Sequence, residues 1–166
     1  MRVVNASLTE ALRRNADDLL AYFERRVVPR SEAGDLLAET MLQAWRRAEN
    51  TPTDETEARM WLFGIAGNVA LNHSRGRRRR NALADKLRQA LDRQQEPDPA
   101  EAIAVRDAVA RLDPSQAELV RLIHWDGFSI TEAATIMGLN ASTARGRYAA
   151  AKGRLRALIG EAASVT

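Results

Sequence analysis

The stretch SITEAATIMGLNASTARGRYAAAK, Ser129–Lys152, decides how the second half of the chain folds. Ser129 and Glu132 stand three apart, the spacing of a capping box, in which the hydroxyl accepts from the N3 amide and the carboxylate reaches back to the cap amide. They open a short helix. Gly138 stops it, being free to take the left-handed backbone that ends helices. Asn140 then caps a longer helix reaching about Ile159. Short helix, tight turn, longer helix is helix-turn-helix spacing. Ala133 and Ala134 are small enough for the two helices to pack closely, and Met137 and Leu139 are apolar anchors for the turn. The second helix carries Ser142, Thr143, Arg145 and Arg147 near its N-terminus, the end that enters the major groove in such motifs. Hydroxyls bond phosphates or base edges, and Arg takes guanine through two parallel bonds. Lys152, Arg154 and Arg156 continue the positive charge. Exposed Arg on a helix means little alone; the caps, the glycine and the spacing together point to duplex DNA.

Working toward the N-terminus, Asp113-Pro114 reads as an N-cap followed by proline at the first helical position, opening a helix to about Trp125. Another helix spans about Ala100 to Leu112. Glu96-Pro97-Asp98-Pro99 is the clearest breaker, and Asn81 to Gln95 is a weak helix at most. The first half is also helical. Ser7 and Glu10 have capping-box spacing for a short first helix, and Asn15 caps a second that ends before Pro29. Ser31 caps a third, to about Arg47, with Leu36, Leu37, Met41, Leu42 and Trp45 as its apolar set. Asn50 to Glu57 is a polar loop. A long helix follows from about Ala58 to Arg79, striped by Leu62, Ile65, Ala66 and Val69, with Trp61 and Phe63 at its start and the basic run Arg75 to Arg80 at its end. Basic residues follow a phosphate backbone, and aromatic faces stack on unpaired bases, although Trp61 and Phe63 also suit packing. No stretch alternates with period two. The expected class is all-α: two small helical domains, 1–80 and 100–166, joined by a flexible linker at 81–99, the second containing the helix-turn-helix.

Composition narrows the function. The chain has 166 residues, a net charge of +3 and 25 basic residues, of which only Lys86 and Lys152 are lysine. Arg offers the rigid donor fork suited to phosphates and guanine edges. There is no Cys, which removes disulfides, thiolate metal sites and Cys nucleophiles. With only His73 and His124, no Gly-rich phosphate loop and no zinc spacing, neither catalysis, a metal nor a cofactor is expected. No apolar run approaches the roughly 20 residues that span a bilayer, and no signal-peptide stretch opens the sequence, so a cytoplasmic protein is expected.

Two further segments carry a resemblance. Asp35-Leu36-Leu37-Ala38-Glu39-Thr40-Met41-Leu42-Gln43-Ala44-Trp45 resembles the D-L-x-x-E-T-F-x-x-A-W segment of extracytoplasmic-function (ECF) sigma factors, and Trp61 to Arg75 resembles their W-L-F-x-I-A-R-N-x-x-x-D-x-x-R helix. The second half is similar to their L-P-x-x-x-R-E-V-x-x-L to G-x-S-x-x-T-V-K-S-R pattern. The segments fall in the family's order, from about Asp17 to Ile159. The resemblance implies a transcription initiation factor, not an enzyme. Its first domain, like sigma region 2, binds the clamp helices of core RNA polymerase and takes the promoter −10 element as melted strand. Its second, like region 4, reads the −35 duplex and docks on the polymerase flap. An anti-sigma factor is the implied inhibitor.

By position, Asp35, Glu39 and Trp45 fall in the core polymerase-binding segment. Asp35 and Glu39 lie four apart on one helix face, open to a basic surface. Leu37, Met41 and Leu42 are expected in the core. Trp61, Asn68, Asn72, Arg75, Arg77 and Arg78 fall in the −10 region, where the Asn amides can donate and accept at base edges. An unstacked base is expected in a pocket formed partly by the loop matching Asn50 to Glu57. His73 reads as a surface residue. Ser142, Thr143, Arg145 and Arg147 fall in the −35 region. The sequence departs from the family at Gly67 (usually Arg), Asn72 (usually Asp), Gly146 (usually Ser) and Ala149-Ala150 (usually polar or basic), which leaves the promoter sequence open. A DNA-binding regulator acting without polymerase is the alternative. It accounts for Ser129 to Lys152 but not for Asp35 to Trp45.

Overall fold

A computed structural model describes residues 2–80 and 100–164, with side chains at 6–76 and 104–161. The expected linker at 81–99, its weak helix and the Glu96–Pro99 breaker lie outside the described residues. The chain separates into two compact units, Met1–Glu96 and Pro97–Thr166. Among the described residues every regular element is helical.

The first unit is three helices: α1 (Arg2–Glu24), α2 (Ala33–Arg46) and α3 (Glu55–Arg80), each packed on the other two. Its core joins Leu8, Leu19, Tyr22 and Phe23 of α1 to Leu62, Phe63, Ile65, Ala66 and Val69 of α3. The rings of Tyr22 and Phe63 meet edge to face at 5.4 Å, a favoured aromatic geometry. The first two expected helices prove to be one. Asn15 is not a cap: it is only 7% exposed, its Nδ2 donates to the Ala11 carbonyl at 2.8 Å, and its Oδ1 accepts from Arg59 at 2.9 Å. With that amide turned along the helix and onto α3, nothing interrupts α1. Ser31 does not cap α2 either; it lies in a 3-10 turn, Arg30–Glu32, that runs directly into the helix. The loop before α3 is shorter than expected. After a 3-10 turn at Ala48–Asn50, α3 already starts at Glu55, because Asp54 Oδ1 accepts from the Glu57 amide at 2.9 Å and supplies the cap.

The second unit is α4 (Ala100–Ala110), α5 (Pro114–His124), α6 (Ile130–Met137) and α7 (Ala141–Ser164), with the first three all packed on α7. Val109, Leu112, Ala117, Val120 and Ala151 form a buried cluster against which Trp125, Tyr148 and Leu155 pack. Pro114 holds the first turn of α5 as expected, although Asp113 makes no side-chain cap bond.

Candidate nucleic-acid and partner interfaces

The helix-turn-helix forms as its local chemistry dictates. Ser129 Oγ accepts from the Glu132 amide at 3.1 Å, and Glu132 Oε1 accepts from the Ser129 amide at 3.0 Å, completing the capping box. Gly138 takes φ 68°, the left-handed region, and passes the Leu139 amide back to the Ala134 carbonyl at 2.9 Å. Asn140 Oδ1 accepts from the Thr143 amide at 2.7 Å and starts α7. Ala133, Ala134 and Ala144 are fully or almost fully buried where α6 crosses α7. Met137 and Leu139 are half-buried, so the turn is anchored at the rim of the core.

Along α7, Ser142 and Arg145 are exposed, Thr143 is half-buried, and Arg147 is exposed but tethered. Its Nη1 donates to Ser115 Oγ at 2.7 Å, joining the first turn of α5 to α7. This bond spans 32 residues, beyond the reach of any local sequence pattern. On the next residue, Tyr148 Oη lies 2.7 Å from His124 Nε2, and the Lys152 ammonium sits 5.2 Å over the Tyr148 ring. His124 therefore braces α5 against α7.

In the first unit, α2 shows two unlike faces. Ala33, Leu36, Thr40 and Ala44 are buried, following the i, i+3, i+7, i+11 spacing of one stripe. Thr40 is 0% exposed and satisfies its hydroxyl on the Leu36 carbonyl at 2.8 Å. Opposite lie Asp35 and Glu39, both exposed, with Leu42 at 54% and Trp45 at 50% exposure. Leu42 was expected in the core; the structure turns it outward. Three small residues at the packing stripe bring α2 close to its neighbours, and Leu42 falls on the far side of the helix. Leu37 and Met41 are half-buried between the two faces.

Trp61, Asn68, Asn72 and Arg75 fall at i, i+7, i+11 and i+14 on α3, which places them along one flank beside the buried stripe. Trp61 is half-buried, while Asn68, Asn72 and Arg75 are exposed. Arg77 and Arg78 lie in the last turns of α3, with side chains outside the described residues. His73 departs from expectation. It is half-buried, and its Nε2 contacts Glu32 Oε2 at 2.8 Å. Gly67 has space to spare: a Cβ there would sit 3.7 Å from the Tyr22 hydroxyl, in ordinary contact.

An open cavity of about 370 Å³ lies between α1, the 51–54 loop and the start of α3. Its walls include Glu10, Arg14, Asn15, Thr53, Glu55, Thr56 and Arg59. Arg14 pairs with Glu10 at 2.8 Å and with Glu55. Arg59 bonds Asp18 at 2.8 Å and lies 4.7 Å over the Phe63 ring. The cavity thus presents polar and charged side chains, with Arg14 and Arg59 already paired, beside Ala11, Pro52 and Ala58. Among the described residues no group of three or more acidic or His side chains could hold a metal ion, and no helix is long and apolar enough to cross a membrane.

Comparison with known proteins matches residues 11–80 to sigma-70 region 2 and residues 102–155 to sigma-70 region 4. The chain is 29% identical over 147 residues to the ECF RNA polymerase sigma factor SigL of Mycobacterium tuberculosis, covering 86% of this chain and 83% of that protein. It is 30% identical to the RNA polymerase sigma factor NccH of Alcaligenes xylosoxydans xylosoxydans, covering 80% and 75%. Among solved structures, the sigma factor RpoE of Bartonella quintana, in complex with the anti-sigma factor NepR, shares the fold with a TM-score of 0.69 at 24% identity, covering 92% of this chain and 96% of that one.

Proposed function

As the chain belongs to the ECF group of sigma-70 factors, regulatory transcription factors rather than enzymes, we propose that its first domain (1–80) docks on core RNA polymerase through α2 and takes the −10 element as melted strand along α3. The second (100–166) then reads the −35 element as duplex through α7. The observation that carries this reading is the outer face of α2, where exposed Leu42 and Trp45 stand beside exposed Asp35 and Glu39. Large apolar side chains left in water beside a pair of like charges fit a partner that covers the apolar pair and supplies cations at its rim.

The remaining roles follow from position. Trp61, Asn68, Asn72 and Arg75 form one flank along which a single strand is bound, and the basic run through Arg77 and Arg78 adds positive charge at the end of α3. The cavity lined by Thr53, Thr56 and Arg59 receives an extruded base; unstacking costs a few kcal/mol, offset by the pocket and by polymerase. Ser142, Thr143, Arg145 and Arg147 face the −35 duplex. An anti-sigma factor holds the protein inactive; a protein of the same fold has been solved with such a partner.

Gel filtration of the purified protein with sigma-free core polymerase tests the central step. Co-migration that is lost in the Asp35→Arg/Glu39→Arg double variant is the expected result. Absence of co-migration together with firm duplex binding by the free protein would replace this reading with that of a regulator acting without polymerase.

A further inference from the structure

The contact between His73 and Glu32 joins the two surfaces to which polymerase and promoter are assigned above, and the inference drawn from it rests on that assignment. His73 follows Val69 by four residues, so it continues the inward stripe of α3. Val69 is the last buried apolar side chain of α3 among the described residues. Asn72 and Arg75 lie beyond it, on turns that no apolar core holds. There His73 Nε2 lies 2.8 Å from Glu32 Oε2, at ion-pair distance but without the angle of a hydrogen bond, and both atoms are sealed from solvent although the side chains are 23% and 31% exposed. Glu32 occupies the N-cap position of α2, yet its side chain makes no cap bond to its own helix. The carboxylate is directed across to α3. Asp35 and Glu39 follow it by three and seven residues on the same helix.

We propose that His73 and Glu32 form a positioning strut. It fixes the end of α3, and with it Asn72 and Arg75, against the start of α2, so that docking of α2 on polymerase determines where the −10 strand is read. Neither residue touches DNA or polymerase in this role; each acts through the helix it holds.

The full chain, assembled with core polymerase, provides the test. A −10 single strand selected by the wild-type holoenzyme and a scrambled strand are labelled, and affinity for each is read by fluorescence anisotropy, beside the Kd for core. His73→Ala and Glu32→Ala each lower discrimination between the strands about tenfold, with core Kd within about twofold of wild type. The double variant is no worse than either single one, as expected for two ends of one contact. His73→Gln, whose amide can keep a polar contact with Glu32, keeps most of the discrimination. Unchanged discrimination in both alanine variants overturns the strut. So does a parallel loss of core binding, discrimination and Tm, which would mark a merely structural contact. A wild-type holoenzyme that binds core but selects no strand overturns the −10 assignment itself, and the strut with it.

Discussion

Truncating the outer face of α2 should cost polymerase affinity without costing the fold. Leu42 and Trp45 are 54% and 50% exposed, so roughly half of each side chain remains to be covered by a partner. A Trp contributes on the order of 200 Å² when buried. Half of that, at about 25 cal/mol per Å², is about 2.5 kcal/mol. Leu is worth about 2 kcal/mol on full burial, so its outer half contributes about 1 kcal/mol. Leu42→Ala/Trp45→Ala should therefore weaken binding to core by about 3–4 kcal/mol, roughly a few hundredfold in Kd. The same change removes few buried contacts from the free protein, so the unfolding free energy should fall by only about 1 kcal/mol. Fluorescence titration of labelled protein with core polymerase, beside urea denaturation of the free protein, measures both quantities. The reasoning is refuted if the double variant binds core within about threefold of wild type, or if its affinity loss is matched by an equal loss of folding stability.

Ser129→Ala removes the hydroxyl that caps an eight-residue helix, and should lower the urea unfolding free energy of the second domain by about 1 kcal/mol. Gly138→Ala places a Cβ at φ 68° and should cost about 1–2 kcal/mol by the same assay, although no neighbouring atom obstructs it. Gly146→Ala should act in the opposite sense, stabilising by about 0.5–1 kcal/mol, because Gly146 lies inside α7 with open space around it. Arg145→Ala should relax the choice of −35 sequence by about 1–3 kcal/mol in holoenzyme binding to duplex variants. Lys152→Ala should instead weaken all sequences alike and reduce the salt slope by about one.

The second domain was legible in the sequence because its punctuation is local. A capping box, a glycine and an Asn cap act within four residues of themselves, so Ser129, Gly138 and Asn140 could be placed before any tertiary contact was known. Asp113-Pro114 belongs to the same class. The first domain was harder for the same physical reason. Asn15 resembles a cap by type, but its amide is satisfied within α1 and by Arg59, 44 residues away. Ser31 likewise loses its expected role to a 3-10 turn. In α2 the buried face is marked by Ala33, Thr40 and Ala44 beside Leu36, small residues at close-packing spacing, rather than by the larger Leu42 and Trp45. Nothing in sequence spacing could have joined His73 to Glu32 or Ser115 to Arg147, since these pairs depend on how helices pack.

The departures at Gly146, Ala149 and Ala150 take on a common meaning once α7 is seen in place. Ala144, Ala151 and Leu158 are buried against the other helices, so the opposite side of α7 presents Ser142, Gly146, Ala149 and Gly153, all exposed. If α7 enters the major groove as proposed, the edge nearest the bases is almost bare of side chains. The helix backbone can then approach closely, but Gly and Ala supply no donor or acceptor to a base edge. Base reading falls to Ser142 and to Arg145 on the flank. Arg147 is held near the packed side by Ser115, and with Lys152 and Arg154 it is better placed for phosphates than for bases. Phosphate contacts orient a protein on the duplex without choosing its sequence. A second domain built this way discriminates weakly by itself. On the proposed reading, its choice of promoter depends on being held by polymerase beside the helix assigned to the −10 strand, which is the arrangement that a stand-alone regulator would lack.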